Sequence, residues 1–179
     1  MLRITVLLIC FLFSFPSAPE PPKFEWQAGR PLTWKDFKGR PARINAYAAS
    51  TSSGISHGYS INNRGVLVKE ESWVKAYFYP SLSWFRRGKV TPRTLRHEQT
   101  HFDISELHAR ILRKRIAEFQ FSNRSKQEIK KIYAEVESKR HAMQDRFDQE
   151  AEHSLNEKAE AVWEKKIATM LYRYRRWAE

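Results

Sequence analysis

Thr91-Pro92-Arg93-Thr94-Leu95-Arg96-His97-Glu98-Gln99-Thr100-His101-Phe102-Asp103 separates two kinds of sequence in this chain. Thr91 is a capping hydroxyl and Pro92 sits at the first helical position, where its missing N–H is no loss. Beyond it Leu95, Phe102, Leu107, Ile111 and Leu112 recur at helical spacing, which predicts a helix running to about Phe119. Ser122-Asn123 interrupts, and Ser125 with Glu128 reads as a capping box opening a second helix. Ile129, Ile132, Val136, Met143 and Phe147 form its apolar stripe. A pause near Ser154 and a restart at Asn156 follow, with Trp163, Ile167 and Leu171 carrying the pattern to the end. Before Thr91 the period is different. Residues 43–61 are small and polar, with Tyr47, Ile55, Tyr59 and Ile61 interspersed. Asn62-Asn63-Arg64-Gly65 is a turn signal. Val66, Val68, Val74, Ala76 and Phe78 then keep even spacing around a charged interruption, until Pro80. Strands come first and long helices after, so the expected class is α+β: a small N-terminal antiparallel sheet followed by two or three long helices.

The start of the chain reads as a targeting segment. Met1-Leu2-Arg3 is basic, residues 4–15 are almost unbroken apolar, and Pro16-Ser17-Ala18 follows. A spanning helix needs about 20 apolar residues, so residues 1–18 are expected to be a signal peptide, with a retained anchor as the alternative. The expected location is therefore periplasmic or secreted. Cys10 is the only cysteine and would leave with the signal, so any metal must be held by His, Asp or Glu. Residues 19–31 are a proline-rich extended lead-in, and residues 32–179 are expected to form a single domain. The net charge of +12, from 32 basic and 20 acidic residues, favours an anionic envelope surface or acidic stretches of a substrate. The tail Leu171-Tyr172-Arg173-Tyr174-Arg175-Arg176-Trp177 mixes bases and aromatics, which suits a membrane surface, a nucleic acid or simply a cationic helix end. Nucleic acid is disfavoured as a partner, because no known binding motif is present and export argues against it. Trp73, Tyr77, Phe78, Tyr79, Trp84 and Phe85 cluster before the helices, as core or as the wall of a substrate groove.

The chemistry lies in His97, Glu98 and His101. Positions four apart share a helix face, so the two imidazoles can offer nitrogens to one zinc ion, with Glu98 beside them as general base. Zinc lowers the pKa of bound water to about 7, which makes hydroxide available near neutral pH. A third ligand must come from elsewhere. His108 is about 10 Å further along the axis, too far for the same ion. The metzincin spacing would place Gly and His where the chain has Ile104 and Leu107. The second helix offers His141, Asp148, Glu150 and His153. His153 is the preferred ligand, because it precedes the expected helix break and can be aimed off the helix end. Glu150 and Asp148 are alternative ligands or supports for a ligand. Asp103 and Glu106 are read as holding the histidines or pairing basic neighbours. Tyr133, Arg140 and Arg146 are the candidates for stabilising an oxyanion.

Several of these segments resemble the bacterial domain-of-unknown-function family 922, to which zinc-dependent peptidase activity is ascribed on its histidine motif. Leu32-Thr33-Trp34-Lys35-Asp36-Phe37-Lys38-Gly39 is similar to its opening. The run from Leu95 to Ile104, with Glu106 and Arg110, is similar to its histidine motif. Phe147-Asp148-Gln149-Glu150-Ala151-Glu152-His153-Ser154 resembles its second motif, Tyr-Asp-x-Glu-Thr-x-His-Gly, and Trp163 falls where the family has a tryptophan. Phe147, Ala151 and Ser154 depart from that pattern. The resemblance implies an exported zinc metallopeptidase of zincin-like arrangement, a hydrolase acting on peptides or proteins. The departures keep a second expectation open, a non-catalytic envelope binding protein with a structural or vestigial zinc site.

Overall fold

The computed structural model describes residues 20–41 and 47–179. The expected signal peptide, with Cys10, lies outside the described residues. Five strands come first: β1 (Phe24–Glu25), β2 (Ala49–Ser50), β3 (Ser53–Ile61), β4 (Leu67–Phe78) and β5 (Trp84–Phe85). Three helices follow: α1 (Pro92–Glu118), α2 (Ser125–Glu150) and α3 (Glu157–Arg173). The strands form an antiparallel sheet in the order β1-β4-β3 and a separate β2-β5 pair, so the class is α+β as expected. Among the described residues no helix is long and apolar enough to cross a membrane.

The β3–β4 hairpin turns at the expected place. Asn62 Oδ1 accepts from the backbone N–H groups of Arg64 and Val66, and Gly65 takes the left-handed φ of 79° that the turn needs. The even spacing of apolar residues on β4 is not kept throughout, however. Leu67 is buried while Val66 and Val68 are only half-buried, and the inward set then switches to Val74, Ala76 and Phe78. The reason is the register. Val68 pairs with Ser60 and Trp73 with Gly58, so residues 69–72 of β4 face the single residue Tyr59. That outward excursion takes up the charged Lys69-Glu70-Glu71, is closed by Ser72 Oγ donating to the Val68 carbonyl, and reverses the parity of the strand.

α1 lies between the two halves of the molecule. One apolar cluster joins the sheet to α1 and α2 through Phe78, Phe102, Leu112, Ile129 and Val136. A second joins α1, α2 and α3 through Ile104, Leu107, Phe147, Trp163 and Ile167. A helix covered on several sides must bury polar residues too, and His97, Glu98, Glu106, His108 and Arg110 are all buried. Its start is as expected: the Thr91 hydroxyl accepts from Thr94 N–H, and the Thr94 hydroxyl accepts from Thr91 N–H. The turn at residues 32–39 is pinned to this helix, since Leu32 N–H donates to Gln99 Oε1 at 2.7 Å. Gly39 N–H donates to the Ser83 carbonyl, and a Cβ on Gly39 would lie 2.8 Å from that oxygen, so only glycine fits.

The entry to α2 differs from the sequence reading. Arg124 is the cap residue, and Glu128 accepts from Ser122 N–H and Oγ rather than pairing with Ser125. Ser125 Oγ instead accepts from Leu67 N–H and donates to the Ser122 carbonyl, tying the helix start to β4. The expected break after α2 is present, and its form is specific. Glu152, His153 and Ser154 all have left-handed φ, at 49°, 50° and 71°. Asn156 then caps α3 by accepting from Ala159 N–H.

Candidate metal centre

α1 places His97 and His101 one turn apart on the face toward α2 and α3. Their Nε2 atoms are 3.2 Å apart. Asp148, from the last turn of α2, brings Oδ1 to 3.1 Å from His97 Nε2 and 2.9 Å from His101 Nε2. Donor atoms about 2.1 Å from a tetrahedral zinc lie about 3.4 Å apart, so this triangle is close to the face such an ion requires. His97, His101 and Asp148 are the group that could hold a metal ion among the described residues.

Each histidine is held by its other nitrogen. His97 Nδ1 is 3.0 Å from Oε1 of Glu160, which is 1% exposed on the inner face of α3. His101 Nδ1 donates to Gln144 Oε1, and Gln144 Nε2 donates back to the His101 carbonyl. With Nδ1 donating in both rings, both Nε2 atoms point at Asp148, to which they donate when protonated and beside which, once deprotonated, they would offer lone pairs to a metal. Phe147 packs against His97 at 4.5 Å and edge-on to His101 at 5.1 Å, walling off the apolar side. Glu98 is buried with Oε2 lacking any hydrogen-bond partner. A buried carboxylate oxygen without a partner is costly, and Glu98 is among the residues that line the groove beside the two histidines. Burial pushes the Glu98 carboxyl up, against the opposing pull of His101. Burial would also raise Asp148, but its hydrogen bonds to His101 and His97 outweigh that and hold it well below the usual carboxylate range.

These residues line a groove of about 690 Å³. One wall is the chain from Tyr47 to Ser53, and Arg93, Arg140 and His141 stand on the others. His153 is at the rim: its ring is 4.6 Å from that of Tyr47, and its Nδ1 is 3.8 Å from Asp148 Oδ1. Asp148, one of the alternatives, therefore completes the set of three close donor atoms, and His153 stands behind it. Glu150 is outside the groove, accepting from Trp163 Nε1 at 2.7 Å and Arg146 Nε at 2.6 Å. Asp103 accepts from Trp26 and Gln99, and Glu106 pairs with Arg110 and Arg113, so neither holds a histidine. His108 is buried and bonded to the Ile104 carbonyl. Arg140 lines the groove, whereas Tyr133 bonds to the Ile55 carbonyl and Arg146 to Glu150. None of the aromatics from Trp73 to Phe85 lines it; Phe78 and Trp84 are core.

Glu160 and Gln144 are absent from the sequence reading. Glu160 did carry a signal, since a glutamate three residues before Trp163 and seven before Ile167 lies on the buried stripe of its helix. Gln144 carried none.

The helix bearing both histidines, the second helix with Asp148 and the left-handed turn ending at Ser154 form one continuous segment. Residues 83–154 match the model of a bacterial protein family of unknown function, DUF922. The resemblance is borne out over that segment. The DUF922 segment contains His97, Glu98, His101, Asp148 and His153, while Glu160 follows it. No curated protein and no solved structure matches the chain.

Proposed function

We propose that this chain is an exported zinc-dependent hydrolase acting on peptide bonds, with His97, His101 and Asp148 as ligands and Glu98 as the proton-transferring carboxylate. The observation that carries this reading is the triangle of donor atoms with the unpartnered Glu98 oxygen beside it. Zinc bound there would supply Lewis acidity, polarising a carbonyl and activating water. Glu98 then accepts the proton of the attacking water and returns it to the departing amine nitrogen. Arg140 lines the groove with its guanidinium held by two hydrogen bonds to Glu137, and in this proposal it serves the substrate carbonyl oxygen as that oxygen gains negative charge. Glu160 and Gln144 keep the two rings from turning.

Metal analysis tests the site first. The wild-type chain is expected to hold about one zinc, His97→Ala and Asp148→Ala to lose it, and His153→Ala to lose little. Glu98→Gln is expected to keep the metal and lose hydrolysis of an unstructured protein substrate. No zinc after reconstitution ends the proposal. A second reading, a binding protein with a structural or vestigial zinc site, is favoured by Phe147, Ala151 and Ser154; under it Glu98→Gln leaves function intact.

A further inference from the structure

α3 uses its acidic and basic residues on different sides. Its three glutamates all face α1: Glu157 pairs with Arg93, Glu164 with Arg96, and Glu160 holds His97. The outer face is left without acids. Lys158, Lys165 and Arg173 lie on it at helical spacing, interleaved with Val162 and Tyr172, each 67% exposed. Leu155, 76% exposed, extends the same line at the turn before the helix. No ion pair covers these three cations among the described residues, and the chain as a whole carries +12.

We propose that this outer face of α3 docks on an anionic phospholipid surface. Cations alone would suit any polyanion. Val162 and Tyr172 decide the class, because exposed apolar side chains between lysines gain nothing against a phosphate backbone but can enter the boundary between headgroups and acyl chains. Tyrosine is favoured at that depth, and each basic residue near an anionic bilayer contributes about 1 kcal/mol, roughly fivefold in partitioning. The inference does not depend on the metal centre, whose residues lie on the opposite side of α3.

The test is flotation of the full chain with vesicles of phosphatidylcholine alone and with about a third phosphatidylglycerol, at physiological ionic strength. The quantity read is the ratio of anionic to neutral partitioning, which removes any contribution of the apolar N-terminal run. Lys158→Gln, Lys165→Gln and Arg173→Gln together are expected to lower that ratio at least ~10-fold. Val162→Ser with Tyr172→Ser is expected to lower anionic binding severalfold. The exposed α2 lysines Lys126, Lys130 and Lys131, changed to Gln together, remove the same charge and are expected to alter the ratio less than about twofold. Equal effects of the two triple variants would reduce the attraction to net charge and overturn the proposal. So would an absence of anionic preference in the wild type, an apolar variant that binds unchanged, or binding to duplex DNA through the same residues without vesicle binding.

Discussion

Glu160 touches no donor atom of the triangle directly; it acts through a histidine, and its replacement tests whether that matters. Glu160→Gln keeps a hydrogen-bonding group against His97 but removes the charge. It is expected to weaken zinc binding about 10–100-fold, read by competition with a chromophoric chelator, with unchanged circular dichroism. Ser154 makes the opposite case, a residue at odds with its own position. Its φ of 71° strains any side chain, and its buried hydroxyl has no partner. Ser154→Gly should therefore raise stability by about 1 kcal/mol, an increase of roughly 2–4 °C in melting temperature. The same strain gives a physical reason for the glycine that the family's second motif carries there. Residue placement was legible where it was local. His97, Glu98 and His101 follow from i, i+4 spacing, and Asp148 stood among the alternatives. That Asp148 rather than His153 brings an oxygen within 3.1 Å of both histidines depends on the angle at which α2 crosses α1, which one sequence does not contain.

At the scale of elements, starts and stops were written more clearly than registers. Thr91-Pro92 marks the first turn of α1, and Thr91→Ala is expected to cost about 1 kcal/mol by removing the acceptor for Thr94 N–H, measured by chemical denaturation. The beginning of α2 was misread because Ser125 is used by β4, a partner 58 residues away. The parity reversal of β4 was hidden for a similar reason: the excursion at residues 69–72 exists only relative to β3. Gly39 is a turn residue whose demand is tertiary. Gly39→Ala drives a Cβ against the Ser83 carbonyl, and a loss of about 1–3 kcal/mol is expected in the same denaturation measurement.

For the whole molecule, metal and protons act on stability in opposite directions. Under the proposed function zinc would bind atoms from α1 and α2 that come together only in the folded chain, so saturating zinc should raise the melting temperature by several degrees, and a chelator should reverse it. Protons bind the unfolded chain better at His108 and at His57, because burial lowers the pKa of both in the fold. Their neutral forms carry no penalty above the ordinary histidine value. Stability is lost as pH falls from there toward their lowered folded values. Metal-free wild type should lose more stability between about pH 7.5 and 5 than His108→Gln does, checked by thermal melts of the two proteins. The two apolar clusters give this molecule a further property. α3 belongs only to the second, so opening of α3 is expected to leave the cluster of the sheet, α1 and the first half of α2 in place. Detachment withdraws Glu160 and frees the His97 ring. If zinc is held as proposed, the amide hydrogens of α3 should exchange with solvent in step with release of the ion, and this helix would act as a latch on it.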